Sequence, residues 1–484
     1  MNTRLEQTVS ESVPAHANPD LSTAFVQEFS RAVVRASGEV NFAVEFAILD
    51  SRDPQLLVET FIAAIQSALN SSPERLLFYK ASVGLVAAFA LKDGRSVVVK
   101  AHQGDRTATS LSAQRLVQSA ARPAGFNAPE PLAGPFAFGS GHATFDRYVS
   151  AGVPLNLNTS PTNSNTCNEP DATDAPDAPN FATAINAISP SDTSNGGRTL
   201  NAASPDPSNA GRTLNAVSPS DTSNAGRTLN AASPDPSNVA KPVNVVGALD
   251  VNMAVTTLNE IRAINARATL SRLLAQALIG ISRLPVSMES NLGLTRSSLL
   301  APGSLYPVPH SPIFDFVKTS PGAGWIDEVA ARALAIIGDI EATESLPTVT
   351  THCDLRAENV RLSDDGKSLA AIWDWDSIET ASEAWHVGTS ARAFSLDFSG
   401  EGTMTTTMGV PTVEEMLAFI RDCQTARAHA YTAAEYQAII AWMHHALAYS
   451  TRCEHALASI GVPIRWTPTF ADRLRELQAA DLLG

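Results

Sequence analysis

The stretch from His352 to Asp376 constrains the fold more than any other part of the chain. It opens His352-Cys353-Asp354-Leu355-Arg356-Ala357-Glu358-Asn359 and closes Ile372-Trp373-Asp374-Trp375-Asp376. Between these ends lie two short apolar-containing runs, Val360-Arg361-Leu362 and Leu369-Ala370-Ala371-Ile372, separated by Asp364-Asp365-Gly366-Lys367. Asp-Gly accepts the positive φ of a tight turn, so the runs are expected to pair as an antiparallel hairpin. A hairpin brings its outer ends together. Asn359 enters one strand and Asp374 leaves the other, so an amide and a carboxylate are expected to converge on one ion. Mg2+ takes a few oxygen ligands and keeps several waters, so one Asn and one Asp suffice.

The order of these polar groups suits phosphoryl transfer. Asp354 can accept the proton of a substrate hydroxyl, and Arg356 can neutralise charge on the transferred phosphate. Protein kinases place a base, an Asn and a Mg2+-binding Asp in this order. His352 to Asn359, followed by Trp373-Asp374-Trp375, resembles the aminoglycoside phosphotransferase and choline kinase-like family. Its members show a His-x-Asp loop ending in Asn, then an Ile-Asp-Trp-like segment; Trp373 stands here for the commoner aliphatic residue. The resemblance implies an α+β, two-lobed protein-kinase-like fold, with a small β-rich N-lobe and a larger, mostly helical C-lobe. It implies ATP or GTP and Mg2+ as cofactors, Asp354 as catalytic base, and Asn359 and Asp374 as metal ligands. His352 would be a structural residue of the loop rather than a proton carrier.

The N-terminal half fits that scheme. Residues 1–18 are polar and expected to fray. Leu21, Phe25, Phe29 and Val33 recur every four residues, the pattern of an amphipathic helix. Asp53-Pro54 starts another helix, with Leu57, Phe61, Ile65 and Leu69 on one face. Leu76 to Tyr79, Val86 to Leu91 and Ser96 to Ala101 read as strands, the last two joined by Lys92-Asp93-Gly94-Arg95. Val97-Val98-Val99-Lys100 resembles the strand whose Lys grips the α- and β-phosphates. Two departures follow. The expected helix over Thr109 to Ala121 holds no acidic residue to pair with Lys100; Gln114 stands at that place and cannot neutralise it. The nucleotide loop, Tyr79 to Leu85, offers a single glycine, Gly84. His142 to Val149 would be the last small-lobe strand and hinge, where backbone near Arg147, Tyr148 and Val149 would meet the adenine.

Residues 150–250 differ in kind: Asn, Ser, Thr, Pro, Asp and Ala dominate, and a near-repeat beginning at Ser189 returns from Ser204, Ser218 and Ser233. Each unit offers little beyond one Leu and a few Ala, too little to offset ordering entropy. A disordered insertion is expected there, between an N-lobe over 19–149 and a helical C-lobe over 251–484. In the latter, Leu258 to Leu284 and Trp325 to Ile340 are expected helices. Thr412 to Glu415 and Thr432 to Glu435 form capping boxes.

Composition narrows the function. A net charge of −15 argues against a nucleic-acid partner. No run reaches the length of a membrane span, since Arg272 and Arg283 cut the most apolar stretch. Four scattered cysteines and no apolar leader point to reduced thiols in a cytoplasmic protein. Adjacent His444 and His445 point about 100° apart on a helix and form no metal motif; one is expected partly buried and one exposed. His386 is expected to be a packing residue. The expectation is a kinase acting on a small-molecule hydroxyl acceptor of aminoglycoside-, choline- or homoserine-like type. The alternative is a catalytically degenerate kinase-like protein that binds a nucleotide or partner. A protein-directed kinase is less favoured, because a recognisable activation segment running from Asp-Phe-Gly to Ala-Pro-Glu is absent.

Overall fold

The structure, a computed structural model, describes residues 22–37, 42–81, 84–149, 251–284, 300, 303–309, 314–396, 409–464 and 466–483. The chain divides into one unit of Met1–Ile188 with Leu258–Gly484 and a second of Ser189–Thr257. Of the second, only residues 251–257, the start of a helix, are described. The expected frayed N-terminus and repeat insertion therefore lie outside the described residues.

In the first unit, three helices precede a sheet. They are α1 (Thr23–Ser37), α2 (Ala43–Leu49) and α3 (Pro54–Leu69). The Asp53 side chain accepts the Gln55 N–H at 2.9 Å and Pro54 occupies the first turn, so α3 starts where its sequence directs. Leu57, Phe61, Ile65 and Leu69 are all buried. The sheet comprises β1 (Pro73–Ala81), β2 (Leu85–Leu91), β3 (Ser96–His102), β4 (Pro131–Phe138) and β5 (Gly141–Arg147). Its antiparallel order is β1-β2-β3-β5-β4. Gly94 turns β2 into β3 with φ 84°. Phe29 of α1 and Phe61 of α3 pack on the sheet, their ring centroids 5.3 Å from Phe89 and 5.0 Å from Phe138 respectively. Each such burial stabilises by about 1.5–3 kcal/mol, which is why these helices dock on the sheet. Helix α4 (Ala108–Ala121), capped by Thr107, connects β3 to β4.

The larger lobe holds α5 (Val251–Ser282), α6 (Gly324–Thr343), α7 (Glu383–Ala391), α8 (Val413–Arg427), α9 (Ala433–Ser459) and α10 (Phe470–Ala479). Between α6 and α7 lie two hairpin-like pairs: β6 (Thr348–His352) with β9 (Ile378–Ser382), and β7 (Val360–Leu362) with β8 (Leu369–Ile372). The pair β7–β8 is the hairpin anticipated from Asp-Gly, with Gly366 at φ 67°. Both anticipated capping boxes form, and Thr469 with Asp472 adds a third at α10. Helices α7 and α9 approach so closely that a Cβ at Gly388 would sit 2.5 Å from the Ile439 carbonyl oxygen. The result is the expected two-lobed, protein-kinase-like arrangement.

Two expectations need correction. Helix α2 was not anticipated; it is one short turn-bounded element with Phe42 and Asp50 left-handed at its ends. His444 and His445 are both buried, because α9 is enclosed by α6, α7 and α10. Their rings lie 2.8 Å from the Ile440 carbonyl and 2.7 Å from the Leu305 carbonyl. Among the described residues no helix is long and apolar enough to cross a membrane.

Candidate functional site

The loop after β6 is tied down along its length. Leu355 and Ala357 anchor it in the core of the large lobe. The Ala357 N–H donates to the Phe394 carbonyl at 3.0 Å and the Glu358 N–H to the Leu396 carbonyl at 3.3 Å. Asp354 and Asn359 meet directly: the Asn359 amide nitrogen donates to the Asp354 carbonyl and to its Oδ2, both at 2.8 Å. Among the described residues the Asn359 Oδ1 makes no hydrogen bond. Arg356 lies 3.0 Å from Asp354 Oδ1 and 3.0 Å from Glu358 Oε1. It therefore bridges two carboxylates of its own loop and holds Asp354 from the side opposite Asn359.

The β8 end closes on this loop. The Trp373 N–H donates to the Asn359 carbonyl at 2.8 Å, as a hairpin requires of its outer ends. His352 makes the second tie. Its Nδ1 accepts the Asp354 N–H at 3.1 Å, and its Nε2 donates to the Trp373 carbonyl at 2.7 Å. Burial holds its pKa below the ordinary value, consistent with a neutral ring that cross-links two loops. Asp374 adopts φ 62°, ψ 40°, a left-handed conformation that Asp tolerates better than most residues. Its Oδ2 accepts the Ser377 hydroxyl at 2.9 Å.

Lys100 reaches this loop from β3. Its Nζ lies 2.8 Å from Asp374 Oδ1 and also forms a close ion pair with Asp376. Burial pulls the ammonium down, but the two carboxylates outweigh it and hold Lys100 above its ordinary pKa. Burial likewise pushes Asp374 up, and Lys100 outweighs that, leaving the carboxyl well below its usual range. Two carboxylates against one ammonium leave this cluster one negative charge in excess.

Asp376 was not anticipated as a site residue. It supplies the carboxylate that the sequence of α4 lacks. Gln114 does not bond Lys100; its Nε2 donates instead to the Asp376 carbonyl at 2.8 Å and the Ile378 carbonyl at 3.1 Å. Arg106 adds a bond to the Asp376 carbonyl at 3.1 Å. His102 lies 3.7 Å from Asp376, and burial drives its pKa down to about 4. The signal that could have found Asp376 is its place two residues after Asp374, on the far side of buried Trp375.

Gly84 is required for packing: a Cβ there would lie 2.7 Å from the Ala101 carbonyl oxygen of β3. At the hinge the Arg147 N–H donates to the Glu130 carbonyl and the Tyr148 N–H to the Ser96 carbonyl. These two donors close the sheet, while the residues' carbonyls are not used in those bonds. Val149 is the one whose N–H makes no backbone hydrogen bond among the described residues. Behind the hinge, Asp146 pairs with Arg115 of α4 at 3.1 Å and Gln118 donates to it at 3.3 Å, a buried link also not anticipated. His386 is the packing residue expected, buried 3.7 Å from the Cys353 sulfur. Among the described residues, no three His, Cys, Asp or Glu side chains are grouped to cage a metal.

The chain is similar to solved structures of small-molecule kinases. A choline/ethanolamine kinase family protein from Mesorhizobium loti is 11% identical, with 84% of this chain and 87% of that chain covered and a TM-score of 0.37. An amicoumacin kinase in complex with AMP-PNP, Ca2+ and Ami is 7% identical, with 85% and 89% covered and a TM-score of 0.43. An aminoglycoside phosphotransferase from Streptomyces rimosus, in complex with ADP and streptomycin, is 13% identical, with 77% and 90% covered and a TM-score of 0.32. No protein-family model and no curated protein matches the chain.

Proposed function

We propose that the chain is an ATP-dependent small-molecule kinase, with GTP the other candidate donor, that phosphorylates a hydroxyl of an aminoglycoside-, choline- or homoserine-like acceptor. One observation carries the reading: Lys100 of the small lobe meets Asp374 and Asp376 of a loop that His352 ties directly to Asp354. A cation for phosphates, hard oxygen donors and a held carboxylate thus come from both lobes to one place.

The donor set fits a hard cation. The carboxylates exceed Lys100 by one charge, and the Asn359 Oδ1 is left over once its amide nitrogen has bound Asp354. Asn359 and Asp374 would hold Mg2+, which when bound neutralises charge on the β- and γ-phosphates. Lys100 would bind the α- and β-phosphates, Gly84 would border them, and Val149 with the carbonyls of Arg147 and Tyr148 would meet the base. Asp354 orients the acceptor hydroxyl and takes its proton. The acceptor oxygen then bonds the γ-phosphorus as the bond to the β–γ bridging oxygen breaks, releasing the nucleoside diphosphate. Positioning and charge neutralisation supply the rate, as expected for this chemistry. Arg356 acts through Asp354, which it fixes.

Residues 19–149 would form the nucleotide lobe and 251–484 the acceptor lobe, with 150–250 as an insertion between them. The rival reading, a degenerate binding protein, rested on the missing acid in α4 and on the glycine-poor loop from Tyr79 to Leu85. Asp376 beside Lys100 supports turnover instead. The test is Mg2+-dependent transfer from γ-labelled ATP, and in parallel GTP, to a pooled panel of hydroxylated acceptors. Label in one acceptor, lost in Asp354→Ala with nucleotide binding retained, is the expected result. Transfer undiminished in Asp354→Ala would overturn the base assignment.

A further inference from the structure

Several buried or half-buried arginines of this protein face carboxylates. Arg115 has Asp146, Arg356 has Asp354 and Glu358, Arg427 has Glu383 and Glu435, and Arg452 has Asp327. Arg392 does not. It caps the C-terminus of α7, and among the described residues its guanidinium makes one hydrogen bond, Nη1 to the Ser450 hydroxyl of α9 at 2.6 Å. Its Nε is buried with no hydrogen-bond partner. The side chain is half-buried, and one hydroxyl leaves its buried Nε without a partner and its other donors open to an incoming set of acceptors.

Its place in the fold says what the anion accompanies. The segment directly after Arg392 bonds to the loop of Asp354, Phe394 to Ala357 and Leu396 to Glu358. Asp354 itself is not free to pair with Arg392: Arg356 already neutralises it through Oδ1, and Asn359 donates to its Oδ2. The charged groups near Arg392 are Arg356, which repels it, and Asp354, which attracts it from beyond ion-pair distance. The C-terminal dipole of α7 offsets part of the charge, but a helix end supplies no fork of oxygens. Aromatic residues nearby do not form an empty cage for a quaternary ammonium either: Arg452 already lies 4.9 Å over Phe316, within the Tyr306–Phe316–Tyr449 cluster.

We propose that Arg392 receives a carboxylate of the acceptor whose hydroxyl faces Asp354, so that the acceptors are small hydroxy acids rather than cationic aminoglycosides or choline. This rests on the kinase reading and selects among its acceptor classes. A guanidinium fork matches a carboxylate in two parallel bonds, which fixes the distance between the acid group and the reacting hydroxyl. The other source of an oxyanion at this place is the phosphoryl group in transfer, and the experiment separates the two.

Thermal shift is measured on the full chain, with and without Mg2+ and AMP-PNP. The panel holds glycerate, malate, serine and homoserine, their amides, and kanamycin and choline. The expected result is a shift from at least one hydroxy acid and none from its amide. Arg392→Gln should raise the half-saturating acid concentration at least 30-fold, Arg392→Lys should recover part of it, and the AMP-PNP shift should persist in both. Melting of the unliganded variants reports whether they fold. The proposal is overturned by shifts from kanamycin or choline alone, by no shift from any acid, or by an acid shift unchanged in Arg392→Gln. It is also overturned if Arg392→Gln weakens AMP-PNP and spares the acid, which would assign the oxyanion to the phosphoryl group. Absence of any AMP-PNP shift in the wild type would sink the kinase reading separately, while the acid panel without nucleotide still tests Arg392.

Discussion

Replacing Lys100 with Met removes the cation between Asp374 and Asp376 while keeping an apolar stem of similar length. The Lys100 side chain is 14% exposed, against 38% for Asp374 and 24% for Asp376. Removing one partner of a fully buried pair costs about 3–5 kcal/mol, because the remaining charge is uncompensated. Both carboxylates here keep some contact with water, and screening discounts the cost to about 2–3 kcal/mol. At about 2 °C per kcal/mol for a fold of this size, Lys100→Met should melt about 4–6 °C below the wild type at pH 7.5.

The pH dependence gives the sharper test. Lys100 holds Asp374 well below its usual range. A depressed carboxyl contributes stability that is full above its unfolded pKa, about 3.9, and is lost as pH falls through the folded value. In Lys100→Met two carboxylates face each other without a cation, so one binds its proton more readily than an isolated acid. The deficit of the variant should therefore shrink between pH 7.5 and pH 5. Lys100→Met/Asp376→Asn, with one carboxylate left, should melt above Lys100→Met alone. A fluorescence melt at both pH values checks this. Melting within about 1 °C of the wild type, which is under about 0.5 kcal/mol by the same conversion, or a gap that widens at pH 5, would refute the charge accounting.

Gln114→Glu should not restore a lysine partner on α4. It sets a carboxylate against the carbonyls of Asp376 and Ile378, which should lower stability by about 2 kcal/mol in urea denaturation at neutral pH; wild-type stability would contradict the assigned contacts. Buried His102 and His444, with pKa values driven down to about 4, and His386, driven to about 3, predict a second effect. Unfolded histidines take up protons below about 6.5 and the folded ones do not, so each should remove about 1 kcal/mol of stability by pH 5.5. Melting temperature should hold steady above pH 7 and fall between pH 6.5 and pH 5, and a flat profile there would show that these rings protonate in place.

The parts of the fold that were legible are those whose cause is local. Asp53-Pro54 starts α3, Gly94 and Gly366 turn their hairpins, and Thr412 and Thr432 cap their helices through contacts within four residues. The loop holding Asp354, Asn359 and Asp374 was legible for the same reason, since one hairpin brings its ends together. What was not legible lies in long-range pairing. Lys100 and Asp376 are 276 positions apart, and nothing near either names the other. Arg115 and Asp146 meet only because α4 packs behind β5. Arg392 looks like any arginine at a helix end until it is seen that, among the described residues, no carboxylate pairs with it.

The exchange of roles between Gln114 and Asp376 has a physical consequence. Were the partner of Lys100 an acid on α4, the charge of the lysine and the position of the helix would be one variable: moving the helix would strand a buried cation. In this chain they are separate. Lys100 is neutralised within the loop that follows β8, and α4 is held by an uncharged amide donating to two main-chain carbonyls. Each such bond contributes about 1 kcal/mol net and depends little on the charge state of the site. Phosphates that draw Lys100 away from Asp376 would leave the bonds of Gln114 intact, because they end on the carbonyls of Asp376 and Ile378 and not on the carboxylate. Under the proposed kinase reading, the helix would thus stay docked as a nucleotide bound and left, and the missing acid of α4 ceases to be a reason to regard the site as inert.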